Sequence, residues 1–376
     1  MILLEWGWVT VELYGKQYTR KEILEHVGDI SQLCYAKPVK LSGGKQADVD
    51  AVLVNNGSGL SFVVLSGRGM GIGNADFKGN SLAWISSTKE VASTYYEPAG
   101  QGWFRGFYGG LLTTCGLSYM GASCEDNGEK LGLHGRVSYI PANNVWVDSK
   151  WDGDDYWVWV QGKIRETTVF GENLILTRRI SVKLGESKIF IEDTVENLGF
   201  EKTEHMILYH FNMGFPLLDK ESEFLSPTIS YMLRDKESAK GQRDYHKVSA
   251  PIAGFEEKVY YHEISSLIGG STKVALINHK FNNGEGLGLY IAYSKKELPN
   301  LVQWKMTGQG HYVMGIEPAN AWVGGRDKAR KDGSLKFLQP GEKRHYHLEL
   351  GVLSSQKEIE GVIREIQDIK GNYNKI

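Results

Sequence analysis

The stretch LILTRRISVKLGESKIFIEDTVE, residues 174–196, is the part of the sequence most informative about the fold class. Apolar and polar residues alternate in both of its halves, and the turn Gly185-Glu186-Ser187 separates them. A period of two places the apolar side chains on one face of a β-strand and the polar side chains on the other. Two such strands joined by a short turn predict an antiparallel hairpin with one buried face.

Further hairpins are predicted on both sides of this one, because alternating segments flank short turns that contain Asn-Gly. They pair residues 51–55 with 61–65, and residues 274–280 with 287–293. A last strand, residues 346–352, follows a Pro-Gly turn at residues 339–342. Repeated antiparallel hairpins with few helices predict an all-β sandwich or barrel and argue against a doubly wound α/β fold.

Helices are predicted only near the two ends of the chain. Residues 19–22 and 355–358 each have the Ser/Thr-x-x-Glu pattern of a capping box, which begins a helix. Apolar residues then recur at helical spacing from Ile359 to Ile369, which predicts a packing face. We therefore predict an N-terminal strand and helix extension (residues 1–39), one large β domain (40–353) and a C-terminal helix (354–376).

The composition argues against several classes of partner. The chain has 376 residues, and 43 Lys and Arg against 45 Asp and Glu give a formal net charge of −2. Such a chain has little electrostatic attraction for nucleic acid or an anionic membrane, and no apolar run reaches the ~18 residues of a membrane span. Without a signal-peptide pattern, a cytoplasmic protein is expected. Cys34, Cys115 and Cys124 lack CxxC spacing and are interpreted as reduced thiols.

Motifs for nucleotide cofactors are weak. Glycines alternate from Gly67 to Gly73, but the segment that follows has the pattern of a turn and a strand. A bound dinucleotide needs the N-terminus of a helix at that place. We therefore predict that the protein works without a cofactor.

Ionisable side chains occur together with glycines and aromatic residues in residues 103–110, 133–136, 205–219, 303–306 and 312–320. In the third segment, strand alternation places His210 and Asn212 on one face and His205 on the other. Glu317 ends an apolar strand before a proline, which stops strand pairing. This set suits a polyhydroxylated ligand, because aromatic faces stack on the C–H faces of sugar rings and charged side chains hold hydroxyls. A His and a Glu on opposite sides of such a ring can act together as acid and base.

These segments resemble the galactose-mutarotase-like (aldose 1-epimerase) superfamily, and most closely an uncharacterised branch of it. The matching motifs are WFRGF at 103–107, LHGR at 133–136, LYHFN at 208–212, QWK at 303–305 and GIEPAN at 315–320. The resemblance covers roughly residues 60–353 and implies a mainly antiparallel β supersandwich, here with short helices at both ends. It also implies interconversion of the α and β anomers of an aldose.

The resemblance assigns roles to individual residues. Glu317 would be the base that takes the proton from the C1 hydroxyl, and His210 the acid that protonates the ring oxygen. His134 and Arg105 would hold sugar hydroxyls, whereas Arg136 stands where classical members have glycine and would read an acidic or phosphorylated sugar. Further substrate contacts are expected from Asn212, Asp219, Trp304 and Lys305.

Two other functions stay open at this stage. The same residues would suit a carbohydrate-binding domain without catalysis. Alternatively, His134, His205, His210 and Glu317 have side chains suited to a metal ion, which would make the protein a metal-dependent isomerase or lyase acting on a sugar derivative. The expected partner in each case is a small carbohydrate, and the sequence leaves a homodimer open.

Overall fold

The computed structural model describes residues 10–372, which form mainly antiparallel β-sheet, so the predicted all-β class is confirmed. The strands are β1 Val11–Leu13, β2 Lys16–Tyr18, β3 Tyr35–Lys40, β4 Asp50–Asn55, β5 Leu60–Leu65, β6 Gly71–Phe77, β7 Asn80–Ser81, β8 Leu112–Leu117, β9 Cys124–Asp126, β10 Glu129–Leu131, β11 Asn143–Asp152, β12 Asp155–Thr167, β13 Asn173–Lys183, β14 Lys188–Asn197, β15 Thr203–Glu204, β16 Met206–Met213, β17 Glu223–Leu225, β18 Thr228–Leu233, β19 Lys258–Ile264, β20 Ser271–Asn278, β21 Leu287–Ser294, β22 Asn300–Gly308, β23 His311–Ala319, β24 Phe337–Leu338 and β25 Lys343–Leu353. The helices are α1 Arg20–His26, α2 Lys236–Lys240, α3 Phe281–Gly284, α4 Arg326–Lys331 and α5 Gln356–Asn372.

Two large sheets pack face to face. The eight-stranded sheet has the order β11-β12-β13-β14-β25-β21-β20-β17. The eleven-stranded sheet has the order β18-β19-β22-β23-β16-β8-β6-β5-β4-β3, with β7 paired to β6. Apolar side chains from the inner faces of both sheets fill the space between them. The hairpin predicted from residues 174–196 forms β13 and β14, with Ile180 opposite Ile191.

Two charged side chains interrupt the apolar inner face of that hairpin. Arg178 and Asp193 are cross-strand partners, and their fully buried side chains form an ion pair with 2.6 Å between Nη2 and Oδ2. Tyr209, on β16 of the other sheet, donates its hydroxyl to the same Oδ2 at 2.7 Å. This buried group therefore connects the two sheets at the strand that also carries His210.

The other two predicted hairpins also form. β4 pairs with β5, and β20 pairs with β21, both antiparallel. In the turn between β20 and β21, Asn282 and Asn283 have φ values of 48° and 59°. Asparagine adopts this left-handed conformation more readily than most residues do, so the short α3 is a turn built around these two side chains.

Both ends of the described chain pack on the sheets. α1 begins at the predicted capping box, where Thr19 and Glu22 exchange side-chain to main-chain hydrogen bonds. α5 covers part of the eight-stranded sheet with Ile359, Val362 and Ile366. β3 belongs to the eleven-stranded sheet, so the boundary predicted between residues 39 and 40 falls inside a strand. The predicted parts at residues 1–9 and 373–376 lie outside the described residues.

Within residues 10–372, no helix is both long and apolar enough to cross a lipid bilayer.

Candidate active site

His210 lies on the outer face of the eleven-stranded sheet, in the middle of β16. The neighbouring Tyr209 and Phe211 pack in the core between the sheets. Because successive side chains of a strand point to opposite faces, His210 points the other way, and it lines a cavity there. The alternation of the sequence thus places this imidazole as predicted.

Glu317 approaches His210 from β23, the strand beside β16. The distance between His210 Nε2 and Glu317 Oε1 is 3.2 Å. This contact is within ion-pair distance but is not a hydrogen bond, and neither His210 Nδ1 nor Glu317 Oε1 has a hydrogen-bond partner among the described residues. The exposed fractions of the two residues are only 5% and 2%. Buried polar atoms in proteins are nearly always hydrogen-bonded. The two unpartnered atoms of His210 and Glu317 can therefore bond to a ligand, as the polar atoms of a binding or catalytic site do.

Gly315 makes room for the Glu317 carboxylate. The two residues are two positions apart on β23 and therefore face the same side of the sheet. A Cβ atom at position 315 would lie 2.5 Å from Glu317 Oε1 and 3.0 Å from Trp304 Cβ. Any larger residue would push the carboxylate or the indole aside, so the Gly-Ile-Glu order of the sequence has a direct structural reason.

His134 reaches the same cavity from a loop. Its backbone is left-handed, with φ of 58°, and its amide donates to the carbonyl of Gly121 at 2.8 Å. The following Gly135 also has a positive φ, and a Cβ atom there would collide with the carbonyl oxygens of Gly116 and Tyr119. Close backbone packing therefore fixes the Leu-His-Gly loop and directs the imidazole toward the cavity.

The His134 ring is a close neighbour of the His210–Glu317 pair. Its centroid lies 5.9 Å from that of His210 and 4.8 Å from that of Trp103. The Nδ1 atom of His134 is buried and has no hydrogen-bond partner among the described residues. It adds one more unpaired polar atom to the site.

Aromatic side chains form much of the cavity wall. The ring centroids of Phe107 and Trp304 lie 5.3 and 5.4 Å from that of His210. Trp103 stacks on Phe107 with 4.4 Å between ring centroids. The cavity has a volume of about 400 Å³ and is lined by Gln101, Trp103, Phe104, Phe107, Gly121, Ala122, Ser123, Leu133, His134, His210, Arg234, Glu257, Val259, Val302, Trp304, Glu317 and Val323. That size lies within the range of small-molecule sites.

Arg234 and Glu257 belong to the cavity, although the sequence patterns did not indicate them. Arg234 Nη1 and Glu257 Oε1 are 2.8 Å apart, and Arg234 Nε donates to Asp235 Oδ2 at 2.7 Å. Trp304 Nε1 donates to Glu257 Oε2 at 2.7 Å, which holds the indole in place. No local motif marks these residues, because they reach the site through strand pairing: β18 pairs with β19, and β19 pairs with β22.

Burial opposes charge on all three ionisable groups around the centre of the cavity. It raises the pKa of Glu317 well above its ordinary value, an effect that Glu257 increases and Arg234 reduces. Burial also lowers the pKa of His210 to about 3, with a contribution from His134. The pKa of His134 is lowered to about 4 by burial. Burial therefore favours the neutral form of both partners, in which the proton of the pair is on Glu317.

Two of the predicted cationic contacts lie elsewhere. The side chain of Arg105 is 71% exposed and its Nε is 3.1 Å from a Glu97 carboxylate oxygen, and it does not line the cavity. Arg136 lies in a separate cavity, where Nη2 donates to Glu129 Oε1 at 3.3 Å and the guanidinium covers the Tyr119 ring. Each guanidinium is held by an acidic neighbour, so neither is placed to bind a ligand beside His210.

Lys305 also lies away from the cavity, whereas Trp304 lines it. The two residues are adjacent on β22, so their side chains point to opposite faces of the sheet. Lys305 Nζ donates to the carbonyls of Asp244 and Lys247 at 2.9 and 2.5 Å, and burial lowers its pKa to about 8. These hydrogen bonds tie the loop around residues 244–247 to β22.

Asn212 and Asp219 have main-chain partners instead of a place in the cavity. Asn212 Nδ2 donates to the carbonyls of Gly109 and Gly110 at 3.2 and 3.1 Å, which anchors the glycine loop to β16. Asp219 Oδ1 accepts from the amide of Lys220 at 2.7 Å. Neither side chain lines the cavity that contains His210.

The four residues considered as metal ligands do not come together. His205 lies between β15 and β16, where its Nε2 is 2.7 Å from the hydroxyl of Tyr346 on β25 and its Nδ1 is 3.2 Å from the Leu117 carbonyl. Strand alternation predicts this separation from His210. Within residues 10–372, no group of three or more His, Cys, Asp or Glu side chains is arranged to hold a metal ion.

Comparison with known proteins finds a family whose model covers most of the chain. The model of a family described as a domain of unknown function, DUF4432, matches residues 46–352. None of the curated proteins compared with the chain matches it.

Solved structures share the fold. One from Klebsiella pneumoniae, described as a "putative aldose 1-epimerase", is 25% identical with a TM-score of 0.85 and covers 91% of this chain and 90% of its own. A galactose mutarotase-like protein from Clostridium acetobutylicum is 12% identical, with a TM-score of 0.57 over 86% of this chain and 99% of its own. Galactose 1-epimerase from Lactobacillus acidophilus is 14% identical, with a TM-score of 0.55 over 86% and 100%. The predicted galactose-mutarotase-like fold is thereby confirmed.

Proposed function

The chain belongs to the DUF4432 family and has the galactose-mutarotase-like fold, and on this basis we propose that it is an isomerase of the aldose 1-epimerase type. It interconverts the α and β anomers of a neutral free aldose. The observation that supports this most directly is the contact of 3.2 Å between His210 and Glu317 in an aromatic cavity. The C1 hydroxyl and the ring oxygen of an aldose are bonded to the same carbon, so the acid and the base that act on them must be neighbours.

The reaction needs one proton donor and one proton acceptor. In the form with a Glu317 carboxylate and a His210 imidazolium, Glu317 takes the proton of the C1 hydroxyl while the bond between C1 and the ring oxygen breaks. His210 protonates that oxygen, and C1 becomes the aldehyde carbon of the open chain. Rotation about C1–C2 exposes the other face of the aldehyde, and the reverse proton transfers close the ring as the other anomer.

The pair returns to its starting protonation after each turnover. Burial favours the neutral form, in which the single proton is on Glu317. The reactive form arises by moving this proton across the 3.2 Å contact to His210, without changing the net charge of the cavity. A general acid and a general base each contribute about 10²–10⁴-fold to a rate, which suffices for a reaction that also proceeds in water.

The charges around the cavity favour a neutral sugar. Arg234 is the one Lys or Arg among the residues lining this cavity, and it is already bonded to Asp235 and Glu257. The cations expected to read an acidic sugar, above all Arg136, lie outside it. A carboxylate or phosphate in the cavity would therefore meet Glu257 and Glu317 without a free cation to balance it.

Exchange NMR of anomer interconversion tests the proposal. The panel contains neutral aldoses, uronic acids and aldose phosphates, and we expect acceleration with neutral aldoses only. Glu317→Gln and His210→Asn should remove it. Glu263→Gln is a matched control, because Glu263 lies on β19 of the same sheet with its carboxylate 54% exposed. Absence of acceleration with every sugar, or an unchanged rate in Glu317→Gln, would reject the proposal.

The same variants separate catalysis from simple sugar binding, the alternative that the aromatic walls also suit. Calorimetric titration measures sugar affinity independently of turnover. Affinity that persists in Glu317→Gln and His210→Asn, together with no exchange in the wild type, would make the protein a carbohydrate-binding domain.

A further inference from the structure

A second cavity adjoins the one that contains His210 and Glu317. It has a volume of about 310 Å³. Four residues line both cavities, namely Phe104, Phe107, Glu257 and Trp304. The remaining lining residues of the second cavity are Trp84, Ser86, Ser87, Thr88, Met306 and His311. The two cavities are therefore neighbouring compartments with a common wall.

One strand runs from the first cavity to the second. Val302, Trp304 and Met306 lie at alternate positions of β22 and face the same side of the sheet. Val302 lines the first cavity, Trp304 lines both, and Met306 lines the second. Four residues of strand cover roughly 13 Å, so the combined site is extended and suits an elongated ligand.

Indole rings and hydroxyl groups give the second cavity the character of a sugar site. The Trp84 and Trp304 rings meet nearly edge to face, with 6.1 Å between centroids. Trp304 is fixed by its hydrogen bond to Glu257, whose other carboxylate oxygen is bonded to Arg234. The flat apolar faces of such rings pack against the C–H faces of a pyranose, while the Ser87 side chain is exposed at the rim.

We propose that the second cavity is a subsite for a second sugar unit, so that the preferred substrate is a neutral reducing disaccharide or longer oligosaccharide. The reducing unit occupies the cavity of His210 and Glu317, and the unit linked to it packs on Trp84 and Trp304. The placement of the reducing end rests on the proposed function. The second cavity has Glu257 and His311 as its ionisable lining residues, so the added unit is uncharged.

The experiment compares glucose with maltose, cellobiose and lactose, which all carry glucose at the reducing end. We expect at least one disaccharide to have a kcat/KM for anomer exchange about tenfold above that of glucose. Ser87→Trp places an indole at the rim of the second cavity and should reduce the ratio of disaccharide to glucose kcat/KM about tenfold, which corresponds to about 1.4 kcal/mol. Trp84→Ala should lower the same ratio by removing the stacking surface.

Ser149→Trp is the matched control, because Ser149 is an exposed residue on β11 of the other sheet. This variant should keep the wild-type ratio. Equal kcat/KM values for glucose and all three disaccharides, with an unchanged ratio in Ser87→Trp, would overturn the subsite and leave the proposed function intact.

Titration of tryptophan fluorescence with the same sugars distinguishes the two proposals when no exchange is found. Maltose, cellobiose or lactose binding more tightly than glucose, and more weakly in Ser87→Trp than in Ser149→Trp, would support the subsite although the proposed function had failed. No binding of any of these sugars would overturn the subsite as well.

Discussion

Two buried acid–base pairs lie in different sheets and differ in their partners: Arg178–Asp193 lies between the sheets on β13 and β14, and His210–Glu317 lies on the outer face of the eleven-stranded sheet. Asp193 accepts from Arg178 Nε and Nη2, and from the Tyr209 hydroxyl at 2.7 Å, so its lone pairs are used. The His210–Glu317 contact is longer, at 3.2 Å, and is not a hydrogen bond, and His210 Nδ1 and Glu317 Oε1 have no hydrogen-bond partner among the described residues. A satisfied buried network stabilises the fold, whereas unpaired buried groups with shifted pKa values are typical of functional sites.

The two pairs are linked through adjacent residues. Tyr209 and His210 are neighbours on β16, with one side chain in the core and the other in the cavity. The Arg178–Asp193 pair, here called the inner pair, holds β16 in place through Tyr209. The geometry of the His210–Glu317 pair, the outer pair, depends on the position of that strand. Substitutions in the inner pair should therefore affect mainly stability, and substitutions in the outer pair mainly rate.

The largest effect is expected for Glu317→Gln. Loss of the base should reduce the rate of anomer exchange by about 10²–10⁴-fold. The free energy of unfolding at pH 7 should not fall, because the raised pKa of Glu317 shows that its burial costs stability relative to the ionised unfolded chain. Exchange NMR and urea unfolding of the same sample measure both quantities, and a strongly destabilised variant would contradict this division of roles.

Asp193→Asn should show the opposite pattern. Removing one charge leaves Arg178 buried without its counter-ion, and breaking a buried pair costs about 3–5 kcal/mol. Urea unfolding measures this loss, and the folded fraction should still exchange anomers. Glu192→Gln is the control, since Glu192 is the preceding, solvent-exposed residue of β14 and should change stability by no more than about 0.5 kcal/mol. Equal effects of the two substitutions would be evidence against a structural role for the inner pair.

Gly315→Ala tests the geometry of the outer pair without removing an ionisable group. The added Cβ would lie 2.5 Å from Glu317 Oε1, and a displacement of about 1 Å at a catalytic group costs up to about 10²-fold in rate. We expect a loss of about 10–10²-fold in exchange rate. Gly361→Ala in α5 is the control, because no atom lies within 4 Å of a Cβ there. Wild-type exchange in Gly315→Ala would show that the carboxylate position is not critical.

The smallest effect concerns the pH dependence of stability. Burial lowers the pKa of His210 to about 3, so between pH ~6.5 and ~3 the unfolded chain binds a proton that the folded chain does not. This contribution to stability is present above pH ~6.5 and is lost on acidification. His210→Asn should make the decline shallower, by up to about 1.4 kcal/mol per pH unit.

Glu317→Gln should change the same slope in the opposite direction. The raised pKa of Glu317 makes the folded chain bind more protons than the unfolded chain above pH ~4.3, so this group lowers stability as the pH rises. Urea unfolding at pH 7, 6 and 5 measures both slopes. His134, His205 and His262, whose pKa values burial lowers to about 4, remain in each variant. Parallel curves for the wild type and His210→Asn would contradict the assignment.

Local patterns in the sequence predicted the features that depend on neighbours along the chain. The alternation in residues 174–196 predicted β13 and β14, and the same rule separated His210 from His205. These two predictions succeeded because the period of a strand is a local property of the backbone. The expectation that Pro318 ends the strand at Glu317 was wrong, because β23 continues to Ala319 and Pro318 is paired with Leu301.

The cationic contacts were harder to predict. Arg105, Arg136 and Lys305 lie within the matching motifs, but the partners of each side chain hold it away from the cavity. Arg234 and Glu257 line the cavity and have no motif of their own. Proximity along the chain did not indicate proximity in space for these long, flexible side chains.

The sequence by itself determined the all-β class, the hairpins and the face of β16 on which His210 lies, because side-chain alternation is set within a single strand. Only the tertiary structure decided which strands meet. It brought β16 beside β23 and β19 beside β22, which created the His210–Glu317 contact and added Arg234 and Glu257. Strand order depends on how two whole sheets bury their apolar faces against each other. No single segment of the sequence determines that packing.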